Sequence, residues 1–155
     1  MVVVVDASVA AKWLIAEADS EIAAMLLDGS FDLHAPRLLA SEIGNMLWRQ
    51  ARKGSIDDYE AARLAAALLN MPVQWRDDER TCVEAVRIAV ELGHPAYDCM
   101  YLALALLIGA KVVTADRRFV SAVASTTYGP IVVPLWEFVG SHGTGLVHMQ
   151  TRERK

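Results

Sequence analysis

Val2-Val3-Val4-Val5-Asp6 and Lys111-Val112-Val113-Thr114-Ala115-Asp116 are the two stretches on which the reading of this chain turns. Each is a short apolar, β-branched run, as expected of a strand covered on both faces. Each also ends in an aspartate. In an open parallel α/β sheet the carboxyl ends of the strands are where ligands bind, so the repetition predicts two carboxylates delivered to one sheet edge.

Outward from these runs, helical and strand patterns alternate. Val9, Lys12, Trp13 and Ala16 follow the first strand at helical spacing, with Ser8 as a cap, and a second helical piece over 20–27 stops at Asp28-Gly29. A strand is expected over 31–35. Pro36 then opens a long helix whose Leu39, Ile43, Met46 and Leu47 share an apolar face, ending at Gly54. The alanine-rich stretch 57–70 predicts another helix, closed by Met71-Pro72, and 73–75 a short strand. Asp77 or Asp78 caps a helix running to Gly93, and Pro95 starts an apolar helix that ends at Gly109. A short helix over 117–124 and a last strand over 131–133 complete the pattern. Such alternation predicts a parallel sheet with helices on both faces.

The bulk properties agree with one such unit. A chain of 155 residues, 54% hydrophobic, has ample material for a single core. Residues 1–139 are expected to form the domain, and 140–155, with three glycines, two histidines and a basic end, a flexible tail. The two cysteines, Cys82 and Cys99, form no C-x-x-C pair, which disfavours structural zinc and a secreted disulfide scaffold. The longest apolar run, Cys99 to Ala110, falls short of the ~20 residues that a bilayer-spanning helix requires. Asp6 interrupts the valine run too early for a signal peptide, so a cytoplasmic location and no membrane association are expected. The net charge of -4 is unusual for a nucleic-acid binder, although Arg49, Arg52 and Lys53 cluster at one helix end and Arg117 and Arg118 follow Asp116.

Four acids stand out. Asp6, Asp98 and Asp116 taken singly are ordinary helix caps or first-turn acids. Glu42 lies among Leu38, Leu39, Ile43 and Met46 on a helix pressed against the core, where a glutamate needs a partner. Together the four can lean over one sheet edge. Two carboxylates ~4 Å apart repel by about 4 kcal/mol at an effective dielectric of ~20, and a divalent cation resolves that conflict. Oxygen-only ligation suits Mg²⁺ or Mn²⁺ better than Zn²⁺. His94-Pro95 reads as a loop and helix start rather than a ligand pair, and His34, His142 and His148 belong to no metal-spacing motif.

At these residues the chain resembles a PIN domain of the VapC toxin type. The matching segments are Val3-Val4-Val5-Asp6-Ala7-Ser8, Ala40-Ser41-Glu42-Ile43-Gly44-Asn45, Ala96-Tyr97-Asp98-Cys99-Met100-Tyr101-Leu102-Ala103-Leu104-Ala105 and Val113-Thr114-Ala115-Asp116-Arg117-Arg118-Phe119, in the family's order and spacing. The resemblance implies a three-layer α/β/α sandwich with a central, mainly parallel sheet. It also implies a Mg²⁺- or Mn²⁺-dependent endoribonuclease, the toxin of a toxin–antitoxin pair, with RNA as substrate, a cognate antitoxin as partner and a homodimer as the assembly. By the same match Asp6, Glu42, Asp98 and Asp116 carry catalysis and the metal, while Ser8, Asn45 and Thr114 orient carboxylates or water. Some relatives carry a further acid where this chain has Arg117 and Arg118, which weighs against a second fully occupied metal. The competing reading is a catalytically inactive PIN-like module that binds a protein; it has no reason to keep four acids at matching places.

Overall fold

The fold follows from where the fully apolar runs fall. The computed structural model describes residues 1–137; the expected tail over 140–155 lies outside the described residues. Val2–Val5 forms β1 and Lys111–Thr114 forms β4, with Val3, Val4, Val5, Val112 and Val113 completely buried. Valine loses little side-chain freedom in a strand and packs well on both faces, so both runs became central strands. The other strands are β2 (Asp32–Pro36), β3 (Val73–Arg76) and β5 (Val132–Pro134), and the five lie in the order β3-β2-β1-β4-β5, all parallel.

Seven α-helices surround the sheet among the described residues: α1 (Ala7–Leu14), α2 (Ser20–Met25), α3 (Leu38–Arg52), α4 (Asp58–Leu69), α5 (Glu79–Leu92), α6 (Ala96–Ile108) and α7 (Arg117–Val123). α5 and α6 pack on each other, with α6 against β1, β2 and β4. α1 to α4 form a second packed group that meets the sheet through α1 on β4 and α3 on β2. This is the expected three-layer α/β/α sandwich around a parallel sheet. Tyr101, Leu102, Ala103, Leu104 and Ala105 of α6 are all buried, as expected for a helix apolar on every side. Among the described residues no helix is long and apolar enough to cross a membrane.

Two local expectations shift. Pro36 does not open the third helix but ends β2 opposite Arg76, and Arg37 N donates to Arg76 O at 3.0 Å. Proline's fixed φ suits an extended strand end as well as a first helical turn, so the residue alone does not choose between them. Ser8 is not the cap of α1. Asp6 holds that place, its Oδ1 accepting from Ser8 N at 3.2 Å, and Ser8 stands inside the first turn.

The sheet order fixes where a ligand can sit. From β1 the chain first builds outward through β2 and β3, then returns to the other side for β4 and β5. The strand order therefore reverses between β1 and β4, and the crevice at their C-terminal ends is the place where an open α/β sheet receives ligands.

Candidate active site

Register brings the two strand-end aspartates to that crevice. Val4 pairs with Val112 and Val5 with Val113, and Asp6 N donates to Val113 O at 3.2 Å. Asp6 is only 7% exposed. Its Oδ2 accepts from Ser8 Oγ at 2.9 Å and from the Thr114 hydroxyl. Each hydroxyl is committed on its other side as well: Ser8 Oγ accepts from Ala115 N at 2.8 Å, and Thr114 Oγ1 from Asp116 N at 3.0 Å. Two hydroxyls thus tie the end of β1 to the turn after β4. A buried carboxylate must be hydrogen-bonded, and here the same bonds that satisfy it fix its direction.

Asp116 caps α7, its Oδ1 accepting from Arg118 N at 2.7 Å and Phe119 N at 3.1 Å. Glu42, half-buried on α3, accepts from the hydroxyl of the buried Tyr101 on α6. This is the partner that its apolar surroundings required. Asp98, in the first turn of α6, lies 2.7 Å from His94 Nε2 through Oδ2. Asn45 stands exposed on α3 one turn beyond Glu42 and makes no side-chain hydrogen bond among the described residues.

The acids feel one another. Burial pushes the Asp6 carboxyl above the ordinary aspartate range against the pull of Thr114 and Ser8, and the charge of Asp98 adds to the push. Glu42 is raised first by burial, then by Asp6 and Asp98, against the hydrogen bond from Tyr101. Asp98 is raised by burial and by Asp116, and its bond to His94 opposes this. Burial and the charges of Asp6, Glu42 and Asp98 hold the Tyr101 phenol far above its usual value, so it stays a hydrogen-bond donor.

All four acids therefore share one field, and among the described residues no Lys or Arg side chain is ion-paired with any of them. Their donor set is hard and oxygen-only, which fits Mg²⁺ or Mn²⁺ in kind. The carboxylates are neighbours rather than a closed cage: no group of three or more His, Cys, Asp and Glu among the described residues is arranged to hold a metal ion.

Two residues of the site escaped the sequence reading. Neither His94, correctly read as lying in a loop, nor Tyr101 is given a part in the site by the sequence alone, although they stand four before and three after Asp98, on the helical spacing that shares a face. The basic residues are peripheral. Arg117 and Arg118 are exposed, and the Arg117 guanidinium lies 4.3 Å from the centroid of the Trp136 ring. Trp13 packs between α1 and α2 with Nε1 donating to Ala23 O at 2.8 Å, whereas Trp48 is 58% exposed on α3.

A parallel sheet of this order, with acids at its switch point and helices on both faces, defines an acidic-site α/β/α domain. Residues 3–124 match the PIN domain family, and the chain belongs to it. It is 33% identical over 120 residues to "Ribonuclease VapC3" of Pyrobaculum aerophilum, an alignment covering 76% of this chain and 92% of that protein. A crystal structure of another Pyrobaculum aerophilum protein superposes with a TM-score of 0.67 at 26% identity, covering 86% of this chain and 89% of that one. A toxin–antitoxin complex from Klebsiella pneumoniae contains a chain of the same fold, with a TM-score of 0.63 at 15% identity over 88% of this chain and 99% of that one.

Proposed function

We propose that this PIN domain is a Mg²⁺- or Mn²⁺-dependent endoribonuclease that hydrolyses RNA phosphodiester bonds and acts as the toxin of a toxin–antitoxin pair. The observation that supports this most is electrostatic. At the switch point of the sheet Asp6, at the end of β1, Glu42 on α3 and Asp98 on α6 are all raised, each in part by another acid of the site, with Asp116 at the β4–α7 junction adding to the push on Asp98, and among the described residues no Lys or Arg side chain is ion-paired to any of the four. The likeness to a protein named as a ribonuclease over 92% of its length supplies the substrate class.

Asp6, Glu42, Asp98 and Asp116 are the residues that would hold the cation. When bound, it supplies Lewis-acid chemistry, activating water for attack at phosphorus and offsetting charge on the phosphate and leaving oxygen. The protein's own part is placement. Ser8 and Thr114 hold one oxygen of Asp6, the α7 amides hold Asp116, and Tyr101 holds Glu42. Glu42, half-buried, is raised above its usual range by burial and by the charges of Asp6 and Asp98 against the hydrogen bond from Tyr101, and a cation beside it would favour its ionised form. His94 Nε2 is engaged by Asp98 rather than free to activate a ribose 2′-hydroxyl, so the expected products carry a 5′-phosphate and a 3′-hydroxyl.

The proposal extends to the partners. A small antitoxin protein would cover the acidic crevice, in keeping with the Klebsiella pneumoniae complex. A homodimer belongs to it as well, and the exposed Val83, Val86 and Val90 on α5 offer apolar surface for a second copy. The domain is taken as 1–139 and its location as cytoplasmic. Incubation of a total-RNA pool with the purified protein in Mg²⁺, in EDTA, and with Asp98→Asn tests the reading. Cleavage confined to the first condition is the expected result, and equal cleavage in all three would overturn it.

A further inference from the structure

His94 stands where the chain leaves α5 and enters α6, and everything about its setting restricts its motion. Gly93 closes α5 in the left-handed region at φ 60°, and Pro95, at φ -55° and ψ 138°, leads straight into α6. His94 N is held by Ala89 O at 3.1 Å. The imidazole then lies against Phe119, with ring centroids 5.3 Å apart and planes inclined by 30°. Phe119 is buried in α7, the helix capped by Asp116. On its other side the ring presents Nε2 to Asp98 Oδ2 at 2.7 Å, with 14% of the histidine side chain and 27% of the aspartate side chain exposed.

From this geometry we infer that His94 is a positioning residue for the cation site: it clamps Asp98 Oδ2, so that Oδ1 is the oxygen turned to the shared crevice, and braces α6 against α7. An ionised carboxylate only accepts hydrogen bonds, so the facing ring nitrogen carries the hydrogen and donates. That commits one side of Asp98. The contact with Phe119 keeps the ring from swinging away, and it couples the place of Asp98 to the helix that carries Asp116. A hydrogen bond to a ligating carboxylate fixes the ligand's orientation, and its loss costs metal affinity even though the lost group never touches the ion.

The inference rests on the proposed reading of the acids as a divalent-cation site, and the experiment separates the two. Mn²⁺ is titrated into the full-length protein, with the thermal midpoint followed alongside kcat and KM for RNA cleavage. Wild type is compared with His94→Phe, which keeps a ring for Phe119 but removes the donor, and with His94→Gln, whose amide reproduces a donor near Nε2. Circular dichroism establishes that each variant is folded. His94→Phe should need roughly 10- to 100-fold more Mn²⁺ for the same stabilisation and lose kcat with KM for RNA little changed. His94→Gln should recover most of both. A wild type that responds to Mn²⁺ together with a folded His94→Phe that responds equally overturns the positioning role and leaves the site reading intact. A His94→Gln as impaired as His94→Phe also overturns it. A wild type indifferent to Mn²⁺ overturns both.

Discussion

Thr114 shows how closely single side chains are committed at this site. Its hydroxyl donates to the buried Asp6 and accepts from Asp116 N, so Thr114→Val strips a buried carboxylate of one donor and an amide of its acceptor. Leaving buried polar groups unpaired costs about 1–3 kcal/mol. Chemical denaturation should show a loss of that size for Thr114→Val and near-recovery in Thr114→Ser. Asp98→Asn acts in the opposite direction on stability. It keeps an oxygen for His94 but removes one of the charges that raise Asp6 and Glu42, so in EDTA near neutral pH its melting temperature should rise above wild type. The same change should lower RNA cleavage by more than about 100-fold, exceeding the usual loss from an outer-sphere residue. A variant both less stable and fully active would contradict this account of Asp98. The acids were legible in the sequence because charge at the end of a valine run, or within an apolar helical stretch, is conspicuous. Their partners were not. Tyr101 reaches Glu42 across 59 positions, and His94 reaches Asp98 only once the first turn of α6 is in place.

At the scale of elements, legibility tracked burial. β1 and β4 coincide with the ranges read from the two valine runs, because strands buried on both faces are apolar throughout and their ends are marked by polar residues. α5 and α6 stop where Gly93 and Gly109 allow the left-handed turn, at φ 60° and 67°. Starts are harder to see: the third helix begins at Leu38, two residues past the proline expected to open it, because the pairing of Pro36 with Arg76 prolongs β2. The turn at Gly109 carries a prediction of its own. A methyl group there meets no atom within 4 Å, so Gly109→Ala isolates the cost of a side chain in the left-handed region, about 1–2 kcal/mol. Thermal or urea unfolding should show that loss with Mn²⁺ binding unchanged, since Gly109 closes α6 at the end opposite Asp98. An equal or higher stability would contradict the backbone argument.

For the whole molecule, the shared field of the acids predicts the pH dependence of folding. Unfolded aspartate and glutamate titrate near 3.9 and 4.3, and folded Asp6, Glu42 and Asp98 titrate higher. Between the unfolded and folded values the native state binds more protons, so this part of the stability is complete below about pH 4 and is lost as pH rises through the folded values. Thermal melts in EDTA should therefore fall from mildly acidic toward neutral pH, and Mn²⁺ should restore stability most at the neutral end. The sandwich architecture was legible because strands and helices alternate along the chain. The closing of the acids around one crevice depends on strand order and register, which no local pattern contains. The most direct test of the central claim is a Mn²⁺ binding isotherm measured for wild type and for Asp6→Asn, Glu42→Gln, Asp98→Asn and Asp116→Asn. Joint capture of one ion predicts saturable binding by wild type that every one of the four changes weakens. No saturable binding by wild type, or affinity unaffected by all four changes, would contradict it.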